Sequence, residues 1–177
     1  MKAKEAGLYS FLRELPLLLV SAVLIAFIVK AFVAQPFWVP TGSMIPTIMP
    51  NDRVLAVKFI YRISDPKPGD IVVFHPSNGD TRDYIKRVIA VGGQTVRIKD
   101  GLVYVDGKPL KESYLSEEYF DSGSLDEIRV PDGYVFVMGD NRPNSLDSRV
   151  FGPIPEDKII GKAILIYWPL NRIRWLD

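Results

Sequence analysis

Two residues in this chain have the types and local settings that nucleophilic chemistry needs. Ser43 stands in Pro40-Thr41-Gly42-Ser43-Met44-Ile45-Pro46-Thr47, and Lys86 in Asp83-Tyr84-Ile85-Lys86-Arg87-Val88. A serine hydroxyl is a weak nucleophile until a base takes its proton. The usual base is histidine, and the single one here, His75, sits at a strand end beside Pro76, with no adjacent motif to orient it. A lysine can replace it if burial brings its pKa down from about 10.4 toward neutrality. On a strand, Tyr84, Lys86 and Val88 share one face, so apolar neighbours can flank the amine and disfavour its charged form. Around Ser43, the prolines limit regular structure and Gly42 permits a close backbone approach. The Ser43 N–H and the Thr41 hydroxyl are then candidate donors to a developing oxyanion. A third segment, Met138 to Arg149, concentrates small polar and charged residues in one turn.

The elements that must position these residues follow from composition and pattern. With 177 residues the chain has room for one catalytic body and an appendage. The net charge of +1 leaves no surplus of cations to draw in a polyanion, so nucleic acid is not expected as a partner. Without cysteine there is no thiol nucleophile, disulfide or thiolate metal site, and a single histidine with scattered carboxylates makes no cage, so neither metal nor cofactor is expected.

Residues 15–29 carry no charge and are apolar on all sides, which predicts a membrane helix over 15–35, with Lys30 snorkelling from near its end. Lys2, Lys4 and Arg13 precede this stretch and no cation lies between Ala31 and Asp52, so residues 1–14 are expected in the cytoplasm and residues 36–177 outside it. A cleaved secretory signal is the weaker reading, because the small-residue cleavage pattern is poor. The body reads as mainly β. Short runs rich in β-branched and aromatic residues cover Asp52–Val57, Ile71–Phe74, Tyr84–Val91, Tyr134–Met138 and Ile159–Trp168. Thr95–Ile98 and Leu102–Val105 flank Asp100-Gly101 and predict a hairpin. Lys111–Arg129 reads as a surface excursion.

Taken in order, Ser-Met-x-Pro-Thr after an apolar anchor, Gly-Asp-Ile-Val-Val-Phe, Asp-Tyr-Ile-Lys-Arg and Met-Gly-Asp-Asn-Arg-x-Asn-Ser-x-Asp-Ser-Arg resemble bacterial type I signal peptidase. The resemblance runs from Pro36 to Gly152. It implies a β-barrel catalytic domain of the signal-peptidase and repressor-protease kind behind one transmembrane helix. It also implies a Ser/Lys endopeptidase in the cytoplasmic membrane that removes signal peptides, ending in Ala-x-Ala-type sites, from exported preproteins. On matching positions, Ser43 resembles the nucleophile, Lys86 the general base, and Thr41 and Ser43 the oxyanion hole. Ser145 resembles the residue that orients the lysine, and Asp147 and Arg149 a supporting ion pair, with Asp140, Asn141 and Arg142 bracing the turn. Phe37, Val39, Met44, Val73, Tyr84 and Ile85 align with the peptide-binding cleft, which must be shallow and apolar to accept alanine methyls. Pro143 departs from the pattern, standing where an acidic residue is common. Trp38, Trp168 and Trp175, with Arg172 and Arg174, suggest a face at the lipid bilayer. Two other classes share parts of the pattern. A self-cleaving repressor-type protease would carry a DNA-binding module where this chain has an apolar segment, and a tethered binding module would leave the motifs as turn chemistry alone.

Overall fold

The computed structural model describes residues 14–24, 27, 33–76 and 79–176. Among the described residues twelve strands carry the fold: β1 (Ala34–Trp38), β2 (Arg53–Val57), β3 (Ile71–Phe74), β4 (Tyr84–Val91), β5 (Thr95–Lys99), β6 (Leu102–Val105), β7 (Lys108–Pro109), β8 (Leu125–Arg129), β9 (Tyr134–Met138), β10 (Ile154–Pro155), β11 (Ile159–Trp168) and β12 (Arg174–Trp175). Eight of them form one sheet in the order β1-β2-β11-β3-β4-β9-β10, with β12 paired to β11. The other four form a second sheet, β7-β6-β5-β8. The mainly β expectation stands. Among the described residues the barrel does not close: the strand path ends at β1 on one side and β10 on the other, so the larger sheet is an open one.

Strand burial follows composition. β3 (Ile-Val-Val-Phe) is buried at every position and β4 at all but its two ends, as central strands covered on both faces must be. β5 alternates buried Val96 and Ile98 with exposed Arg97 and Lys99, the signature of a sheet with one wet face. Its turn to β6 places Asp100 at φ 51° and Gly101 at φ 81°, the left-handed pair that a two-residue hairpin requires. The expected excursion ends sooner than its composition suggests, because Leu125–Arg129 is strand β8, paired antiparallel to β5. Leu125 and Ile128 pack on the core of the second sheet, which outweighs the acidic character of the segment. β1 also lacks an obvious strand pattern, interrupted as it is by Pro36, yet it pairs with β2 from Ala34↔Val57 to Trp38↔Arg53. It lies at the sheet end, where a missing backbone donor is tolerated.

The nucleophile-bearing segment is pinned from below. Met44 and Ile48 are wholly buried with Val54, Ala56, Val73 and Ile85, and the Ile48 N–H donates to the Met44 carbonyl at 2.8 Å. Buried Asp52 accepts from the Met49 N–H at 2.8 Å and from Arg172 Nε and Nη2 at 2.8 and 2.9 Å, tying the C-terminal strands to the same turn.

Residues 14–24 are helical and present Leu17, Leu18, Leu19, Val20, Val23 and Leu24 to the outside, and the Ser21 hydroxyl donates back to the Leu18 carbonyl at 2.9 Å. Among the described residues no helix is long and apolar enough to cross a membrane. Residues 25–26 and 28–32 of the span expected over 15–35, and most of the N-terminal segment 1–14, lie outside the described residues.

Removing the Asp52 carboxylate would strand the Met49 N–H and one face of Arg172. Asp52→Ala is expected to lower unfolding free energy by about 1–3 kcal/mol, read from urea denaturation. An unchanged midpoint and slope would show that the turn does not depend on this carboxylate.

Candidate active site

Ser43 and Lys86, 43 residues apart in sequence, meet with Lys86 Nζ 2.7 Å from Ser43 Oγ. The amine also donates to the Ile85 carbonyl at 2.9 Å, and its side chain passes the Tyr84 ring with Nζ 5.5 Å from the centroid. Lys86 is only 4% exposed, an uncommon position for a lysine without a carboxylate in contact. Burial lowers its pKa from the ordinary 10.5 to about 8, against the pull of the Asp147 and Asp140 charges, which act to raise it. Near pH 8 a large share of this amine is therefore neutral, and at this distance a neutral amine can accept the Ser43 proton.

The turn after β9 holds Ser43 in place. The Asn141 N–H donates to the Ser43 carbonyl at 3.0 Å, and Asn141 Nδ2 to the Gly42 carbonyl at 2.9 Å. Gly139 is required here: a Cβ at this position would lie 2.4 Å from the Ser43 carbonyl oxygen and 2.2 Å from Ser145 Oγ, so only glycine lets the two segments touch. Asp147 is fully buried, accepts from the Gly139 N–H at 3.0 Å, and is held by Arg149 through Nε at 2.8 Å and Nη2 at 2.9 Å. It also caps the short helix α1 (Ser148–Phe151) by accepting from the Arg149 N–H. Arg149 reaches further, donating to Asp121 at 2.8 Å and to the Arg142 carbonyl at 2.7 Å.

The pair opens into a cleft of about 660 Å³ whose walls include Phe37, Val39, Thr41, Ser43, Val73, Tyr84, Ile85 and Lys86. Of the residues expected to bind peptide, Met44 is the exception. It is wholly buried in the core beneath the cleft, packed with Ile48, Val54 and Val73, while Ser43 takes the cleft side. Ser145 also departs from expectation: among the described residues its buried Oγ beside Gly139 makes no hydrogen bond, while the Lys86 amine donates to Ser43 Oγ and the Ile85 carbonyl. His75 lies off the cleft, largely exposed, and pairs with Asp83 at 2.6 Å. Pro143 is exposed beyond the turn, in a single helical turn over Arg142–Asn144. Among the described residues no cluster of His, Cys, Asp or Glu could hold a metal ion.

Sequence reasoning named Asp140 and Arg142 as bracing residues but overlooked their partners, Arg87 and Glu112. Arg87, the neighbour of Lys86, forms a buried bidentate pair with Asp140 at 2.9 and 2.8 Å, and Arg142 pairs with Glu112. No spacing rule links Glu112 to Arg142, since the contact joins the segment after β7 to the turn after β9. For Arg87 a signal existed: a strand whose every neighbour is apolar must pair any charge it carries.

The site thus sets a serine hydroxyl against a desolvated lysine amine at the wall of an open cleft, an arrangement in which the amine can take the hydroxyl proton. Residues 12–168 match the family described as "Signal peptidase, peptidase S26", and the chain belongs to that family; it is a hydrolase. It is 45% identical to "Probable signal peptidase I-1" of Synechocystis sp. over 93% of this chain and 86% of the relative. It is 38% identical to "Signal peptidase I T" of Bacillus subtilis over 88% and 85%, respectively. A crystal structure of a signal peptidase I from Enterococcus faecalis matches with a TM-score of 0.48 at 34% identity, covering 56% of this chain and 97% of that one.

Titration of Lys86, followed by NMR of its side-chain ε carbon, is expected to give a midpoint near 8. A midpoint at the ordinary lysine value would show that the amine is hydrated and unable to act as a base at moderate pH.

Proposed function

We propose that this chain is a membrane-anchored serine endopeptidase that removes N-terminal signal peptides from exported preproteins, with Ser43 as nucleophile and Lys86 as general base. The observation that carries the reading is the 2.7 Å contact between the buried amine and the hydroxyl inside an open cleft. Neutral Lys86 takes the hydroxyl proton as Ser43 Oγ attacks the scissile carbonyl. The protonated amine then supplies that proton to the leaving amine, and the acyl-enzyme is hydrolysed by a water that Lys86 deprotonates in turn. The oxyanion is received by the Ser43 N–H and the Thr41 hydroxyl, donors of a kind worth about 2.7–4 kcal/mol each. Asp147, Arg149 and Ser145 support the turn that faces the lysine.

The cleft suits an extended peptide. β4 pairs with β9 only from Arg87↔Met138 onward, so Tyr84 to Lys86 keep one strand edge open, and Phe37 to Pro40 line the cleft beside them. A substrate strand can add there by backbone hydrogen bonds. Phe37, Val39, Val73, Tyr84 and Ile85 offer apolar walls, which favours small side chains such as alanine at the positions that point inward.

Anchoring is inferred from the apolar residues exposed along helical residues 15–24, where no charged residue occurs. Trp38, Trp168 and Trp175 are exposed together with Leu170 and Ile173, a composition that suits a face resting in the headgroup region. The catalytic body then lies outside the cytoplasm, where a signal peptide emerges from the bilayer.

Ser43→Ala and Lys86→Ala, each assayed as detergent-solubilised full chain on a preprotein, are expected to lose about 10³-fold or more in cleavage while remaining folded. Retention of cleavage in either would remove the assignment. Because the neutral amine is the active form, wild-type activity should be low on the acid side and rise with pH through about 8. A midpoint near 6.5 would point to His75 instead. Topology has its own test, favoured by the absence of native cysteine. In intact spheroplasts an impermeant maleimide is expected to label Lys108→Cys and spare Lys4→Cys, and the opposite pattern would reverse the orientation.

A further inference from the structure

The segment after β7 makes contacts that a surface excursion does not need. Glu112 and Arg142 are paired with side chains only 5% and 2% exposed, Arg142 Nη1 donating to Glu112 Oε2 at 3.0 Å and Nη2 to Oε1. The Tyr114 hydroxyl donates to Glu112 Oε1 at 2.8 Å. The Arg87 guanidinium stacks on the Tyr114 ring, 3.9 Å from its centroid, while holding Asp140 in a bidentate grip. Arg142 Nε closes the path by donating to the Gly139 carbonyl at 3.0 Å. These contacts run from Asp140 to Arg87, Tyr114, Glu112, Arg142 and back to Gly139.

That ring encloses the two segments whose separation sets the site geometry. Arg87 is the residue after Lys86 on β4. Gly139 and Asn141 are the residues that touch the Ser43 segment, by close packing and by two hydrogen bonds. Glu112 and Tyr114 are the members that belong to neither segment, and neither lines the cleft. Burial and the adjacent Glu112 carboxylate push the Tyr114 phenol upward, so it stays a hydrogen-bond donor wherever the enzyme works.

We propose that Glu112 and Tyr114 are positioning residues that fix the distance between Ser43 and Lys86 by clamping Arg142 and Arg87 across the two sheets. The inference rests on the Ser43–Lys86 reading of the site. Without Glu112, Arg142 loses its carboxylate and no longer has one fixed rotamer from which to hold the Gly139 carbonyl. Without Tyr114, Arg87 loses the plate it lies on. In both cases the backbone around Gly139 and Asn141 gains freedom, and Ser43 moves with it.

The test compares kcat, KM and the pH midpoint of kcat for full-length wild type, Glu112→Ala, Glu112→Gln, Tyr114→Ala, Tyr114→Phe and Lys86→Ala on one preprotein. A loosened nucleophile–base pair is expected to lower kcat about 10–100-fold in the two Ala variants of the clamp. KM should stay near wild type, since the cleft walls are untouched. The pH midpoint should move upward, because water that reaches the amine favours its charged form. Tyr114→Phe keeps the ring under Arg87 and should fall between wild type and Tyr114→Ala. If an Ala variant does not fold, Glu112→Gln, which keeps the side-chain volume, and Tyr114→Phe decide the matter by the same shifts. Folded clamp variants with wild-type kcat and midpoint, beside an inactive Lys86→Ala, would overturn the positioning role alone. Cleavage surviving in Lys86→Ala would overturn the reading of the site and this inference with it.

Discussion

The structure is organised around the removal of water from one amine. An isolated ammonium in a protein interior is unfavourable enough that the group gives up its proton rather than stay charged. Lys86 therefore depends on the walls that exclude water: Tyr84 on its own face, Ile85 and Val73 beside the cleft, and Ser43 across it. Two buried carboxylates, Asp147 and Asp140, oppose this by favouring the protonated amine. Each is engaged by a bidentate guanidinium, Arg149 on the first and Arg87 on the second. The arginines thus do more than brace a turn. By neutralising the acids at close range they limit how strongly those acids can restore the proton to Lys86.

Arginines of the turn after β9 also join it to the segment between β7 and β8. The larger sheet supplies Lys86 and, through the turn after β9, the contacts to Ser43. Arg149 and Arg142 leave that turn toward Asp121 and Glu112, on the segment that leads from β7 to β8 of the smaller sheet. A buried arginine whose carboxylate is missing is strongly unfavourable, by about 3–5 kcal/mol where one partner of a buried pair is removed. Under the proposed clamp, the segment between β7 and β8 serves the site although it contributes nothing to the cleft walls.

Much of this was legible in the sequence for definite reasons. β3, β4, β9 and β11 begin and end where their β-branched and aromatic runs do, because central strands have no other way to bury those side chains. The Asp100-Gly101 turn is local chemistry and needs no tertiary knowledge. β1 and β8 were not legible, since Pro36 and the charges Asp126 and Glu127 mask strands that exist through pairing with β2 and β5. At the site, motifs drew attention to Ser43 and Lys86, but motifs do not encode which way a side chain points. Met44 turns inward and Ser145 leaves its hydroxyl without a hydrogen bond, both consequences of rotamer and backbone direction that the order of residues does not display. Glu112 and Tyr114 were invisible because their partners are remote in the chain, Arg142 in the turn after β9 and Arg87 on β4.

Under the proposed reading, substrate binding and activation of the base become one event. With the cleft open, burial brings Lys86 down to about 8 against the opposing charges of Asp147 and Asp140. A peptide lying along Tyr84 to Lys86 and Phe37 to Pro40 would displace water from the remaining approach to the amine, and further desolvation acts in the same direction. The base then becomes more fully neutral once a scissile carbonyl is in place beside Ser43, and less so when the cleft is empty. An apolar cleft wall therefore has two effects with one cause: it admits small side chains, and in closing over the site it completes the dehydration on which proton transfer depends.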